Sequence, residues 1–540
     1  MYISPAKKIY IKKMHSGADN MTNDNTFLKS TAILGLSGIV VKILSAAYRI
    51  PLTRMIGAEG MGQYTAAFNI FMPFFSLATA GITPTISRLC AAGAGRNRAD
   101  VVAVKKKAGI CFGIVSRLMI VAALIVSFVY SGYIDSPMIF TGVALLCPNL
   151  FFATFEAVYK GISQGSMNMT VSAKASMLES RSKTVIGVCS VYFAGMIIRE
   201  NRGDAQLICA FATVSICGFI CWVYLWQDFR KRYTVKEKSS INVTAGVLFS
   251  MAVPISMSAL VVAVSNFCDT VVCLSIVKSI PDNVLMAAYP FVSFTAVEEK
   301  AIWLFGVYQG LCLSVVNLIP SLSAAIGSSG LPLITRAVQE GNPTVIRRQT
   351  DRLINLTAMC VVPVSMFVMF FAHDVLITLY GDNGAQTTLA AYFLRIMAPV
   401  AIVSAFSFPL NSIMHAAGRS STVFRILLVS CGIKVLLSTR LCSVGDINIM
   451  GCVISQIVFH VMVFILSLGA VRSVYPVKNV FSHLIYPVML SYVLLTFIRS
   501  VADFVLYSIP TAFRTLFCGG VFVLVYLAAI IFTGILIDKR

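Results

Sequence analysis

Residues 31–64 read TAILGLSGIVVKILSAAYRIPLTRMIGAEGMGQY. The first twenty are mostly apolar, the length that crosses about 30 Å of hydrocarbon at about 1.5 Å per residue. They close on Arg49, Pro51 and Arg54, followed by glycines at 57, 60 and 62. Blocks of this kind recur to the end of the chain. Hydrophobic residues make up 58% of 540 and charged residues 12%, against about 25% charged in soluble domains. Mean hydropathy is +0.84. The pattern specifies an all-α polytopic membrane protein, and the alternating strands of an outer-membrane barrel are absent from it. The spacing predicts fourteen transmembrane helices near 31–50, 63–83, 108–130, 138–160, 184–198, 206–227, 244–277, 301–322, 353–379, 388–415, 420–438, 447–471, 481–498 and 511–537. The stretch 278–300, with Pro281, Pro290, Glu298 and Glu299, reads as a loop, a partial helix or a re-entrant piece.

Residues 1–29 are polar and basic and hold no apolar core before Thr31, which predicts a cytoplasmic tail and no signal peptide. Met14 and Met21 are alternative starts. The 15 cysteines lie mostly inside apolar runs without a CxxC pair, so they read as small core residues, not metal ligands or disulfides. With the tail inside and the helices alternating, thirty of the 43 Lys and Arg fall in cytoplasmic segments and eight on the opposite side. That bias predicts an N-in, C-in protein of the bacterial cytoplasmic membrane. It also accounts for most of the net charge of +21 without nucleic acid, because basic loops rest on an anionic leaflet.

Three landmarks recur in order. Pro84-Thr-Ile-Ser-Arg88 returns as Pro332-Leu-Ile-Thr-Arg336, Cys147-Pro148 as Ala398-Pro399, and 155–165 as 408–418. The offset of about 250 residues encloses six helices, an even number, so the two copies share one orientation and are related by an axis along the membrane normal. The predicted organisation is a tail (1–30), two six-helix bundles (31–238 and 239–476) and two additional helices (477–540). Two facing bundles suit a rocking, alternating-access transporter.

Several stretches carry a family resemblance. Tyr48-Arg49-Ile-Pro-Leu-Thr, Gly57-Ala-Glu-Gly60, Gly62-Gln-Tyr64, Ala80-Gly81-Ile-Thr-Pro84-Thr-Ile-Ser-Arg88, Lys160-Gly-Ile-Ser-Gln-Gly165, Asn317-Leu-Ile-Pro320, Arg336-Ala-Val-Gln-Glu-Gly-Asn342 and Leu394-Arg-Ile-Met-Ala-Pro399 together resemble the stage V sporulation protein B group. That group stands with the polysaccharide exporters, lipid II flippases and MATE drug exporters of the MOP superfamily. The resemblance implies a fourteen-helix flippase for a polyprenyl-diphosphate-linked saccharide, such as a cell-wall or spore-cortex precursor. The sequence departs from the group at Lys160, at Val171-Ser-Ala and at Arg181-Ser-Lys183.

A lipid diphosphate carries about two negative charges that hydrocarbon does not accept unaided, so a flippase needs cations within the membrane. Lys42 lies eleven residues into its helix, about 16 Å deep. Arg49 follows two turns later on the same face, making a cationic stripe that runs toward Arg54. Snorkelling into headgroups is the alternative for Arg49 and Arg54, and a buried pair with Asp269 is the alternative for Lys42. Arg117, Arg395, Lys434 and Arg514 read as snorkelling residues near helix ends. Asn69 and Lys160 complete the candidate substrate-binding set, although Glu156 four residues before Lys160 offers a helical ion pair instead. Asp269 is the candidate for binding H⁺ or Na⁺, with the membrane potential as the other driving force. No cofactor or metal is expected.

Two rivals stand against the flippase. A cation-coupled drug exporter of the MATE type needs acids in its cavity and twelve helices. A membrane glycosyltransferase needs grouped carboxylates or histidines, and the five histidines are scattered.

Overall fold

The computed structural model describes residues 24–91, 98–233, 243–292, 294, 299–323, 326, 334, 343–475, 482–506 and 508–538; among them there are helices and no strand. In chain order the helices are α1 (Asp24–Thr79), α2 (Ile82–Ala91), α3 (Arg98–Ile134), α4 (Pro137–Gly165), α5 (Met169–Ile197), α6 (Arg202–Arg232), α7 (Ala245–Ser279) and α8 (Asp282–Ala288). They continue with α9 (Lys300–Ser323), α10 (Pro343–Phe370), α11 (Ala372–Tyr380), α12 (Ala385–Ala416), α13 (Ser420–Cys442), α14 (Met450–Arg472), α15 (Ser482–Val505) and α16 (Thr511–Asp538). Twelve described helices are long and apolar enough to cross a membrane. The basic tail, the landmark Pro332–Arg336 apart from Ile334, and the motif at 336–342 lie outside the described residues.

Four expectations change. Residues 51–62 are helix, not a loop between the first two spans. α1 runs through them and breaks only at Gly57, with φ +68° and ψ −169°, a conformation open to glycine because it has no Cβ to clash. Residues 160–183, expected as a cytoplasmic loop, are the end of α4, a three-residue turn and the first half of α5. No Gly or Pro interrupts the chain between Gly165 and Gly187, so the helix starts well before the apolar block does. The single helix expected over 353–379 divides at Phe371 into α10 and α11. Part of 278–300 is the short helix α8.

The chain separates into two compact units, residues 1–48 with 67–267 and residues 49–66 with 268–540. In the first, Ile86, Val104, Ala108, Val158, Ile162 and Leu248 form a buried cluster. The Gly81 N–H donates to Ser256 Oγ at 3.0 Å, tying the start of α2 to α7. In the second, Ile354, Phe406, Leu410, Ile413, Val423 and Phe464 form a core. A Cβ added at Gly62 would meet the Ile302 carbonyl, and one at Gly306 would meet that of Ala58. The second arm of α1 therefore packs backbone to backbone on α9, as small residues allow in membranes. At that contact α9 opens into a π segment, Gly306–Cys312. The C-terminal helices are anchored in this unit: Arg514 Nη2 reaches Asp374 Oδ1 at 3.0 Å, and Phe522 stacks on Phe367.

Candidate functional site

Lys42 and Arg49 sit on the uninterrupted first arm of α1. The Lys42 side chain is exposed, and among the described residues it has no ion-pair partner. Arg49 is half-buried, and its Nε is enclosed without a hydrogen-bond acceptor. Burial pushes the Tyr380 phenol up to about 12, and the charge of Arg49 opposes that rise. Arg49 thus acts on the end of α11, in the second unit. Two membrane cations two turns apart without carboxylate partners are costly unless an anion or water receives them.

Arg54 has an internal employment. Its Nε donates to the Leu379 carbonyl at 2.7 Å and its Nη2 to the Thr378 carbonyl at 2.6 Å. These belong to the last turn of α11, where carbonyls lack helical donors and a cation meets the negative end of the helix dipole. Asn69 lies half-buried on the second arm of α1, in the first unit.

Lys160 belongs to a cluster in the first unit. Its Nζ stands 2.9 Å from Glu156 and 3.5 Å from Glu179. Cys221 Sγ and one oxygen of each carboxylate fall within 4.8 Å of one another. The helical pair that the four-residue spacing offered is therefore formed, and α5 adds a second acid from nineteen residues on.

Asp269 is buried and held from two sides. Lys434 Nζ lies 2.6 Å from one carboxylate oxygen, and Ser438 donates to the other at 3.1 Å. Lys434 is 2% exposed and stands 5.3 Å from the Phe459 ring centre. The alternative of a Lys42–Asp269 pair is not formed, since the partner of Asp269 is Lys434. One expectation is corrected here: Lys434 does not snorkel, because an acid neutralises it in place. Arg514 is likewise paired, to Asp374.

Sequence reading missed Lys183, which it assigned to a loop. Its ammonium lies 5.2 Å from the ring centre of Tyr48 and 5.8 Å from that of Phe68. The absence of helix breakers before Gly187 was the signal for it. The second unit also has an open cavity of about 500 Å³, lined by Tyr289, His373, Tyr392, Arg395 and Asp446 among others.

Comparison with known proteins gives a consistent picture. A model of the polysaccharide biosynthesis protein family matches residues 27–293 and a MatE model matches 308–439. Stage V sporulation protein B of Bacillus subtilis (strain 168) is 23% identical over 471 residues, covering 84% of this chain and 85% of that protein. The lipid II flippase MurJ of the same strain is 20% identical over 445 residues, 77% of each. A solved structure of lipid II flippase MurJ in an inward closed conformation superposes with a TM-score of 0.67 at 14% identity, over 94% of this chain and all of that one. At that identity the superposition speaks to the fold.

Proposed function

We propose that this chain is a member of the MOP superfamily of membrane exporters and translocates a polyprenyl-diphosphate-linked saccharide across the bacterial cytoplasmic membrane by alternating access. The observation that carries the proposal is the pair Lys42 and Arg49. Seven residues apart on one unbroken helical arm, neither cation is neutralised by a carboxylate among the described residues. A lipid diphosphate supplies the matching charge and accepts bidentate arginine contacts. One relative, lipid II flippase MurJ, is named for a cargo of this class.

The topology belongs to the proposal. Counting the two arms of α1 separately and adding α5 to the other spans makes fourteen crossings, with both termini cytoplasmic. α5 is counted as a span although Lys174, Glu179, Arg181 and Lys183 lie on its first half. Arg54, Lys160 and Asp269 have internal partners, so the proposed cationic substrate set narrows to Lys42 and Arg49. With Asp269 held by Lys434, the driving force is the membrane potential. Moving two negative charges outward gains about 4.6 kcal/mol per 100 mV, at about 2.3 per charge.

A drug exporter is the second reading, favoured by the MatE match over 308–439. One experiment separates the two. Proteoliposomes holding the protein receive either a labelled undecaprenyl-diphosphate disaccharide-pentapeptide or a lipophilic cationic dye. A flippase moves the first and not the second; movement of the dye alone overturns the proposal.

A further inference from the structure

The cavity of about 500 Å³ in the second unit draws its walls from one end of that unit. Tyr289 and Phe291 follow α8, and His373 is the second residue of α11. Tyr392 and Arg395 lie in the first three turns of α12, and Asp446 lies in the connection from α13 to α14. On α12 the lining positions 388, 391, 392 and 395 are three and four residues apart, so they share one helical face. On an otherwise apolar helix that face carries a hydroxyl, a phenol ring and a guanidinium. The volume is that of a small-molecule site.

Hydrogen bonds fix the walls. The Tyr289 hydroxyl donates to Asn448 Oδ1 at 2.6 Å, and the same oxygen accepts the Ile449 N–H at 2.6 Å. Asn448 Nδ2 donates to the Gly445 carbonyl at 3.2 Å. These bonds brace the connection that carries Asp446. They also anchor Tyr289, whose ring meets that of Phe291 edge-on with centres 6.5 Å apart. The Phe291 and Tyr392 rings are exposed.

The polar lining is without internal partners. Among the described residues the side chains of His373, Arg395 and Asp446 make no hydrogen bond or ion pair. Arg395 and Asp446 line one cavity without closing on each other, which leaves space for a ligand between them. Arg395 stands ten residues into α12, about 15 Å along the helix, where an unpaired guanidinium calls for water or a ligand. One guanidinium and one carboxylate offset each other, so a lipophilic cation is opposed by the arginine and a free diphosphate by the aspartate. A neutral polar ligand suits both. A pyranose ring matches the rest of the lining: its C–H face packs on an aromatic ring, and its hydroxyls accept from a guanidinium and donate to a carboxylate.

We propose that this cavity binds a saccharide, with Tyr392 and Phe291 against the sugar ring and Arg395, Asp446 and His373 on its hydroxyls. The inference rests on the flippase reading and deepens it. In the proposed topology this end of the second unit faces outward, so the site receives the glycan headgroup once it has crossed.

The test is binding in phospholipid nanodiscs, free of sugar-based detergent, followed by saturation-transfer NMR titration. The probes are triacetylchitotriose, diacetyl-Lys-D-Ala-D-Ala and tetraphenylphosphonium. The proteins are wild type, Tyr392→Ala, Tyr392→Phe and Asp446→Asn, each checked for an unchanged thermal midpoint; both positions are exposed, so the fold does not depend on them. The expected result is saccharide binding by wild type, weakened tenfold or more in Tyr392→Ala and in Asp446→Asn. Tyr392→Phe stays within threefold, because stacking needs the ring and not its hydroxyl. A wild type that does not bind the saccharide overturns the inference, as does equal affinity in Tyr392→Ala and Asp446→Asn. Binding of the peptide or of the cation in place of the saccharide, lost in the same variants, also overturns it. Saccharide binding without transfer in the liposome assay counts against the flippase and leaves the site standing; transfer without saccharide binding counts against the site alone.

Discussion

Asp269 and Lys434 form a buried ion pair, 2.6 Å between carboxylate and ammonium, joining helices α7 and α13 that lie 165 residues apart in the sequence. Removing one member of such a pair leaves a charge with neither water nor partner. Asp269→Asn or Lys434→Met alone is expected to cost about 3–5 kcal/mol, while an Asp269→Leu/Lys434→Met double variant recovers most of it. Thermal unfolding in detergent checks this. Single variants as stable as wild type would mean that the pair carries no structural weight.

Arg54 is expected to behave as a helix cap. Arg54→Ala removes two charge-assisted hydrogen bonds to the last turn of α11, at a cost of about 0.5–2 kcal/mol. Transport per folded molecule should stay within about threefold of wild type. A loss as large as that of Lys42→Ala, in protein that melts normally, would return Arg54 to the substrate path.

Gly57 isolates backbone strain from packing. Its φ is +68° and ψ −169°, a region almost confined to glycine, and a Cβ there would meet nothing within 4 Å, so Gly57→Ala tests conformation alone, about 1–3 kcal/mol. Gly306→Ala instead drives a methyl into the Ala58 carbonyl, a backbone clash that displaces the arm and should cost more. Melting midpoints ordered wild type, Gly57→Ala, Gly306→Ala are expected. The reverse order would place the critical constraint at the break.

How much of this was legible in the sequence depends on how local each feature is. Apolar blocks declared the class and most spans, because each span satisfies its own backbone hydrogen bonds. Glu156 and Lys160 were readable as a pair because four residues make one helical turn. Asp269 and Lys434 were not, since nothing in either neighbourhood points to the other. Residues 166–183 mislead because polar residues read as loop, yet helical hydrogen bonding continues through charge where no Gly or Pro stops it. Lys183 was hidden by that error. Residues 51–62 mislead because Pro51 and the glycines at 57, 60 and 62 read as breakers, yet only Gly57 leaves the helical conformation.

The Lys160 cluster gives an asymmetric expectation. Lys160→Met strands Glu156, which is buried, and should destabilise by about 3 kcal/mol. Glu156→Gln leaves Lys160 with Glu179, whose carboxylate reaches water, and should cost about 1 kcal/mol or less. Chemical denaturation of the purified variants distinguishes them. Equal losses would mean that Glu179 does not serve as the second partner.

Potential-driven export predicts a dependence on voltage. A valinomycin-clamped potassium gradient, negative on the side from which the substrate leaves, should raise the initial rate several-fold over zero potential. A rate indifferent to voltage but dependent on a sodium or proton gradient would restore an ion-coupling role to an acid such as Asp269.

The most direct measurement is of headgroup crossing itself. Proteoliposomes carrying labelled undecaprenyl-diphosphate disaccharide-pentapeptide are prepared with wild type, Lys42→Ala or Arg49→Ala, and label accessible across the bilayer is followed in time. Export along the cationic arm of α1 predicts transfer by wild type and at least a tenfold slower rate in both variants, each verified as folded. Folded wild-type protein that leaves the label on its original side would contradict the flippase, and transfer that survives both substitutions would contradict the cationic path.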